Sequence, residues 1–216
     1  MEKLILIGCE ESGTVRDAFS KMGHEAASLD LLPTLSPGTH IQEDIIEYLE
    51  SMPDNHFDLI GLHPECTKLC VSGNHVYAAG KPKHQMRLDQ VKWVEKLWDL
   101  MKRKGKSGYL ENPVGVLPSL SNLPKPQYIQ PFEFGEDASK KTALFLHNLP
   151  KLVSSNRFQG RIVEFPKGSG KMVERWSNQT DSGQNKLGPS EDRWKVRSKT
   201  YDGIANAFAD QWLNNN

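Results

Sequence analysis

Three short apolar runs, at residues 3–8, 24–29 and 57–62, constrain this chain most. Runs this short and rich in Ile and Leu fit strands buried on both faces of a parallel sheet. After the first run, Val15, Ala18, Phe19 and Met22 repeat at helical spacing. Ser12 is the expected N-cap of that helix, and Gly23 its left-handed terminator. Residues 44–52 read as a second helix before the strand at 57–62. This alternation predicts an α/β fold built on a doubly wound, mostly parallel, Rossmann-like sheet. Such sheets present reactive and ligand-binding groups just past the carboxyl ends of their strands.

A long amphipathic helix is expected over 85–104, with Leu88, Val91, Val94, Trp98 and Met101 on one face. Tyr109 and Leu110 open a brief strand that ends at Glu111-Asn112-Pro113. The pattern then changes. Residues 128–134, 143–146 and 161–165 read as short strands added antiparallel at the sheet edge. Residues 150–195, rich in Gly, Ser, Asn and Lys, predict a small C-terminal arm or flap, and Ile204, Phe208 and Trp212 line a closing helix. A length of 216 residues fits one domain, 1–216. A charged fraction of 25% and a hydrophobic fraction of 37% suit a soluble globular chain. No apolar run approaches the roughly 20 residues that span a bilayer. The apolar start is too short for a signal sequence, and three cysteines argue against a disulfide framework, so the expected location is cytoplasmic, with no membrane partner.

The most suggestive residue is Cys66, in a polar loop just past the third apolar run and after the break at Pro64. An ionised thiol at a strand end is a candidate for covalent chemistry. Two other readings stand beside it: a packed, unreactive thiol, and a metal ligand in the series His63, Cys66, Cys70, His75, whose spacing matches no standard zinc finger. Cys9 and Cys70 read as small packed side chains. Glu111 and Asn112 bring a carboxylate and an amide to a second strand end. The pair Gly8 and Gly13 flanks a strand-turn-helix that has neither the dinucleotide fingerprint nor a phosphate loop. Glu10 and Glu11 there would repel a pyrophosphate but could bond an amino group. Asp30 ends the second strand, where ribose hydroxyls are bound in nucleotide sheets, and Asp44 could meet an adenine amine. Together these positions predict an adenosyl-type cleft without phosphates. The balance of 27 basic and 27 acidic residues gives no overall basic signal, although 81–87, 102–106 and 193–199 are locally basic and 43–58 acidic. Trp93, Trp98 and Trp212 read as core, and Trp176 and Trp194 as base-stacking candidates.

The ordered series Ile7-Gly8-Cys9-Glu10-Glu11-Ser12-Gly13, Asp30, Asp44, Pro64-Glu65-Cys66 and Glu111-Asn112-Pro113 resembles DNA cytosine-5 methyltransferases, and more closely a compact, phage-encoded subgroup of them. That resemblance implies S-adenosylmethionine as cofactor and DNA, double- or single-stranded, as partner. Cys66 would add to C6 of cytosine, Glu111 would protonate N3, and Asn112 would help hold that loop. Gly8, Ser12 and Gly13 would line the methionine part of the cofactor, with Asp30 at the ribose and Asp44 at the adenine, and Glu10, Leu31, Pro64 and Asn206 would also lie at the cofactor. Residues 135–195 would be a reduced target-recognition arm. The chain departs from the pattern at Glu65, where the family has Pro. It also lacks the family's arginine triplet, for which Arg157, Arg161, Arg193 or Arg197 could substitute. Two alternatives are a degenerate, non-catalytic binder of cofactor or partner, and an enzyme of free pyrimidine deoxynucleotides.

Overall fold

The computed structural model describes residues 1–188 and 198–213. The chain divides into two compact units, Met1–Tyr128 with Thr142–Lys151, and Ile129–Lys141 with Leu152–Asn216. Among the described residues no helix is long and apolar enough to cross a membrane.

The first unit alternates strand and helix as its apolar runs require: β1 (Leu4–Gly8), α1 (Thr14–Lys21), β2 (Glu25–Asp30), β3 (His40–Gln42), α2 (Ile45–Ser51), β4 (Phe57–Leu62), α3 (Asn74–Tyr77), α4 (His84–Lys104), β5 (Gly105–Pro113), α5 (Leu117–Leu120), β6 (Gln127–Ile129) and β7 (Thr142–His147). The sheet order is β3-β2-β1-β4-β5-β7-β6. Strands β3, β2, β1, β4 and β5 run parallel, while β7 pairs antiparallel with β5, Asn112 opposite Ala143. The order reverses direction between β1 and β4, which makes a switch point there. This is a doubly wound, Rossmann-like α/β sheet with an antiparallel addition. Ile5, Leu6, Ile7, Leu59, Ile60 and Leu62 are fully buried, as strands covered on both faces should be. One core cluster joins Leu6, Ile60, Leu62 and Leu110 to Ile45 and Leu49 of α2 and to Val91, Val94, Leu97 and Met101 of α4.

Three details differ from the sequence reading. Gly13, at φ +70°, occupies the N-cap position of α1 in place of Ser12, whose hydroxyl accepts instead from Thr14 N at 3.3 Å. The three-residue strand β3 carries no periodic signal and was not expected. The apolar stripe of α4 begins at Arg87, 2% exposed, four residues before Val91, with Leu88 only partly buried.

In the second unit, residues 161–165 do not extend the large sheet. β8 (Arg161–Glu164) forms a separate two-stranded sheet with β9 (Met172–Arg175), so the stretch expected as an arm holds ordered structure. Its core stacks Phe132 on Trp176, ring centroids 3.9 Å apart and 7° from parallel. Trp176 is therefore 8% exposed and internally packed, which corrects its reading as a base-stacking platform. α6 (Asp202–Leu213) carries Ile204, Phe208 and Trp212 inward, the last two stacked at 4.5 Å. Gly203 starts this helix tightly: a Cβ there would lie 2.0 Å from Phe134 O. Trp194, Arg193 and Arg197 lie outside the described residues.

Candidate active site

The carboxyl ends of β1, β2, β4 and β5 place most of the expected residues along one edge of the first unit. At the end of β1 the backbone turns sharply: Cys9 adopts φ +59°, a left-handed conformation uncommon for a residue with a side chain. Its thiol is pushed up to about 12 by burial, and by the carboxylates of Asp30 and Asp44. The charges of Asp30 and Asp44 are thus both near enough to act on the Cys9 thiol, and the three make an acidic cluster at the strand ends. Among the described residues Asp30 accepts only from Leu32 N, 2.9 Å, through Oδ1, and Asp44 uses its own Oδ1 to cap α2 at Ile46 N, 2.8 Å, and Glu47 N, 3.1 Å. Leu31, beside Asp30, is exposed.

The glycines and Glu10 are engaged differently. A Cβ on Gly8 would meet Ile45 Cδ1 at 2.7 Å, and one on Gly13 would meet Arg16 Nη2 and Ser36 Oγ at 2.3 Å. Their missing side chains make room for this chain's own atoms. Buried Glu10 turns both carboxylate oxygens onto the start of α1, Oε1 to Val15 N at 2.7 Å and Oε2 to Arg16 N at 3.2 Å, while Ser12 Oγ donates to Oε1 at 3.2 Å. Burial raises the Glu10 carboxyl, and these same bonds counter the shift. With its free N–H groups answered internally, the α1 N-terminus has no room for a phosphate.

Past β4 the thiol loop is built from local bonds. Exposed Glu65 accepts from Thr67 N at 2.9 Å and opens a turn in which Leu69 N and Cys70 N both donate to Cys66 O at 2.9 Å. One turn of spacing brings the two sulfurs together. The Cys70 thiol is pulled down to about 5, chiefly by the hydrogen bond from Cys66, with Ser72 Oγ at 3.0 Å and nearby backbone N–H groups adding to it. Cys70 is thus hydrogen-bonded to Cys66 through sulfur, and that bond favours its thiolate.

Two further ties fix this loop. Arg87 reaches from α4 to Lys68 O at 2.6 Å, Asn74 Oδ1 at 2.9 Å and Cys70 O at 3.4 Å. The segment after β5 lies against the loop from the other side. Val116 N donates to Leu69 O at 2.9 Å and Val71 N to Val114 O at 3.2 Å, and a Cβ on Gly115 would come within 2.1 Å of Leu69 O. Because β4 and β5 are neighbours, with Leu62 beside Leu110, the loop at Cys66 and the strand end at Glu111 are adjacent. Asn112, 1% exposed, donates from Nδ2 to Pro64 O at 3.2 Å. Half-buried Glu111 lies on the opposite side of its strand, close enough to Tyr109 for its charge to help hold that phenol protonated. Burial is the larger cause, and Glu10 adds to it. Tyr109 Oη bonds His63 Nε2 at 2.9 Å, and the ring packs where Gly61 has no side chain.

Among the described residues no group of three or more His, Cys, Asp or Glu is arranged to hold a metal. His63 bonds Tyr109, and His75 Nδ1 bonds Ser72 O at 2.9 Å. Asn206 belongs to the second unit, exposed on α6. The basic stretch 102–106 pairs with acidic side chains of the same unit: Lys102 with Asp99, Lys104 with Asp54 and Lys106 with Asp58, each at 2.8 Å. In the second unit Arg157 forms a two-pronged pair with Glu174, at 3.1 and 2.6 Å. Arg16, 1% exposed, and Arg87 were both missed from sequence. Arg16 donates to Ser28, Thr34, Ser36, Pro37 and Asp17, fixing the loop that follows Asp30.

No family model matches the chain, and no curated protein sequence matches it. Among solved structures it is similar to a SAM dependent methyltransferase from Archaeoglobus fulgidus, at 20% identity and a TM-score of 0.35, over 52% of this chain and 45% of that one. It is also similar to the protein PH0851, at 11% identity and a TM-score of 0.35, over 67% of this chain and 42% of the other. The chain spans less than half the length of either neighbour.

Proposed function

We propose that the chain is an S-adenosylmethionine-dependent methyltransferase acting at C5 of cytosine in DNA. The observation that carries this reading is the adjacency of the Cys66 loop and the Glu111-Asn112 strand end, on the edge that also holds the acidic cluster of Asp30 and Asp44 beside Cys9. That cluster suits an adenosyl cofactor bearing positive charge. Asp30 and Asp44 each keep Oδ2 without a bond among the described residues, and the filled α1 N-terminus turns phosphates away. When bound, that cofactor supplies an electrophilic methyl group.

The protein's own groups would supply the rest. Cys66 adds as thiolate to C6, its proton passing to the partner sulfur of Cys70 or to solvent. Glu111, as the acid, gives a proton to N3 and takes up the negative charge this addition would leave on the ring. C5 would then be nucleophilic enough to take the methyl, the cofactor's sulfur leaving as a neutral thioether; a solvent water would take the C5 proton, re-forming the ring double bond and expelling the Cys66 thiolate, while N3 returns its proton to Glu111. Asn112 keeps the loop in register through Pro64 O. Incubation with DNA carrying 5-fluorocytosine and S-adenosylmethionine tests this directly, because fluorine cannot leave C5 as a proton does. A covalent adduct lost in Cys66→Ser is expected. Absence of adduct on duplex and single-stranded DNA alike, from protein shown to bind the cofactor, overturns the reading.

A further inference from the structure

The second unit contains a cavity of about 530 Å³ lined by Asp137, Phe158, Gly160, Arg161, Arg175 and Lys186, with Gln159 and Ser177 completing it. Its size is that of a small-ligand site. The lining holds three cationic side chains against one acid, Asp137, whose Oδ1 accepts from Ser177 N at 2.8 Å and whose carbonyl accepts from Ser177 Oγ. Arg161 and Arg175 stand directly opposite each other across the β8–β9 ladder. Like charges in that position destabilise a hairpin, so the arrangement calls for a reason beyond folding.

The two guanidinium groups are held in place by main-chain oxygens. Arg161 donates to Trp176 O at 2.9 Å and Gln179 O at 2.8 Å and pairs with Asp181 at 2.8 Å; Arg175 donates to Asp181 O at 3.0 Å and Glu174 O at 2.9 Å. Arg175 Nη2 and Lys186 Nζ have no partner among the described residues. Two glycines make this possible. A Cβ on Gly160 would lie 2.5 Å from Arg175 O, and Gly183, at φ +85°, lets the Arg175 guanidinium lie against the turn. Phe158 lines the same cavity with 40% of its surface open.

We propose that this cavity binds one nucleotide unit, its phosphate between Arg175 and Lys186 with Arg161 behind, and its base against the Phe158 ring. Fixed donors with unused N–H groups suit a phosphate, and an exposed ring beside them accepts any base by stacking. The source is a nucleic-acid strand or a free nucleotide; the choice of a strand rests on the methyltransferase reading, whereas the phosphate chemistry does not. The test uses the full chain without cofactor, titrated with a labelled single-stranded oligonucleotide, the matching duplex, deoxycytidine monophosphate and inorganic phosphate. Lys186→Gln and Arg175→Gln are the variants. Lys186→Gln breaks no described bond, so it keeps the test valid if Arg175→Gln misfolds.

For single strands the double variant should bind about tenfold more weakly, and its salt slope should fall by about 0.7, because both side chains serve one phosphate. Loss confined to deoxycytidine monophosphate and phosphate supports the site with a free nucleotide as its source. Binding and salt slope unchanged in Lys186→Gln and in the double variant overturn the proposal, as does failure of all four probes to bind the wild-type chain. Because Cys66 takes no part in these titrations, a missing covalent adduct with binding intact would sink the methylation reading alone.

Discussion

Replacing Arg87 by Met tests whether the thiol loop is held from α4. The side chain is 2% exposed, and Met keeps most of its apolar stem while removing every donor. Two of its bonds are short, 2.6 Å to Lys68 O and 2.9 Å to Asn74 Oδ1; the third, 3.4 Å to Cys70 O, is near the limit and counts for little. Charged hydrogen bonds contribute about 1.5–3 kcal/mol each, so two give roughly 3–6 kcal/mol. The removed charge no longer needs desolvating, and water can reach the freed carbonyls, which brings the net to about 2–3 kcal/mol. For a chain of this length that is a melting shift on the order of 5–10 °C. With two compact units, unfolding need not be one transition. Amide exchange is the sharper assay. Leu69 N and Cys70 N, both bonded to Cys66 O, report opening of the loop itself. A loss of about 2–3 kcal/mol raises their exchange roughly 30- to 150-fold. Unchanged exchange at both amides, in a variant that melts with the wild type, refutes the idea that Arg87 secures the loop.

Gly115→Ala should open the same loop from its other side, because the new Cβ would meet Leu69 O at 2.1 Å; a loss of about 1–3 kcal/mol in urea unfolding is expected, and none would show that this contact yields freely. Cys70 titrates near 5 against an ordinary 9.0, a lowered value, so the thiolate and the stability it contributes persist above pH 9 and fade as pH falls from 9 through 5. Iodoacetamide labelling of Cys70 should therefore hold nearly level from pH 8 to 6, and Cys66→Ala, which removes the largest cause, should move the midpoint upward; a wild-type midpoint near 9 contradicts a Cys70 thiolate held by Cys66. Trp176→Ala removes the partner stacked on Phe132 and should cost the second unit about 3–5 kcal/mol, visible as a lower denaturation midpoint; an unchanged midpoint would place the stack outside that unit's core.

Strand β4 matched its apolar run residue for residue, and α6 followed the spacing of Ile204, Phe208 and Trp212, because burial of several large side chains in one register leaves little choice. Features set by one long-range contact were not legible. β3 is three residues long with a single apolar side chain, Ile41, and joins β2 through its main-chain ladder and a 2.9 Å bond between His40 Nδ1 and Ser28 Oγ. The hairpin β8–β9 looked like an edge extension because a four-residue strand does not name its partner. Arg16 and Arg87 hid for another reason: charge marks a residue as solvent-facing until enough carbonyls and hydroxyls gather round it. Arg87 did carry a signal, its place four residues before Val91 on the apolar stripe.

The acidic residues at the sheet edge show why local chemistry and ligand chemistry are hard to separate in this fold. In a parallel sheet the carboxyl ends of strands face the N-termini of the following helices, so the same few positions attract carboxylates for capping and for ligands. Counting oxygens separates the two roles. Glu10 has both oxygens occupied by its own helix and is buried, so it builds α1 and closes that end to anions. Asp44 caps α2 through Oδ1 and Asp30 holds a turn through Oδ1; among the described residues neither Oδ2 has a bond, and both charges reach the Cys9 thiol. Between these acids, one unbonded oxygen apiece leaves Asp30 and Asp44 as the candidates for ligand contact, while Glu10 is spent on its own helix.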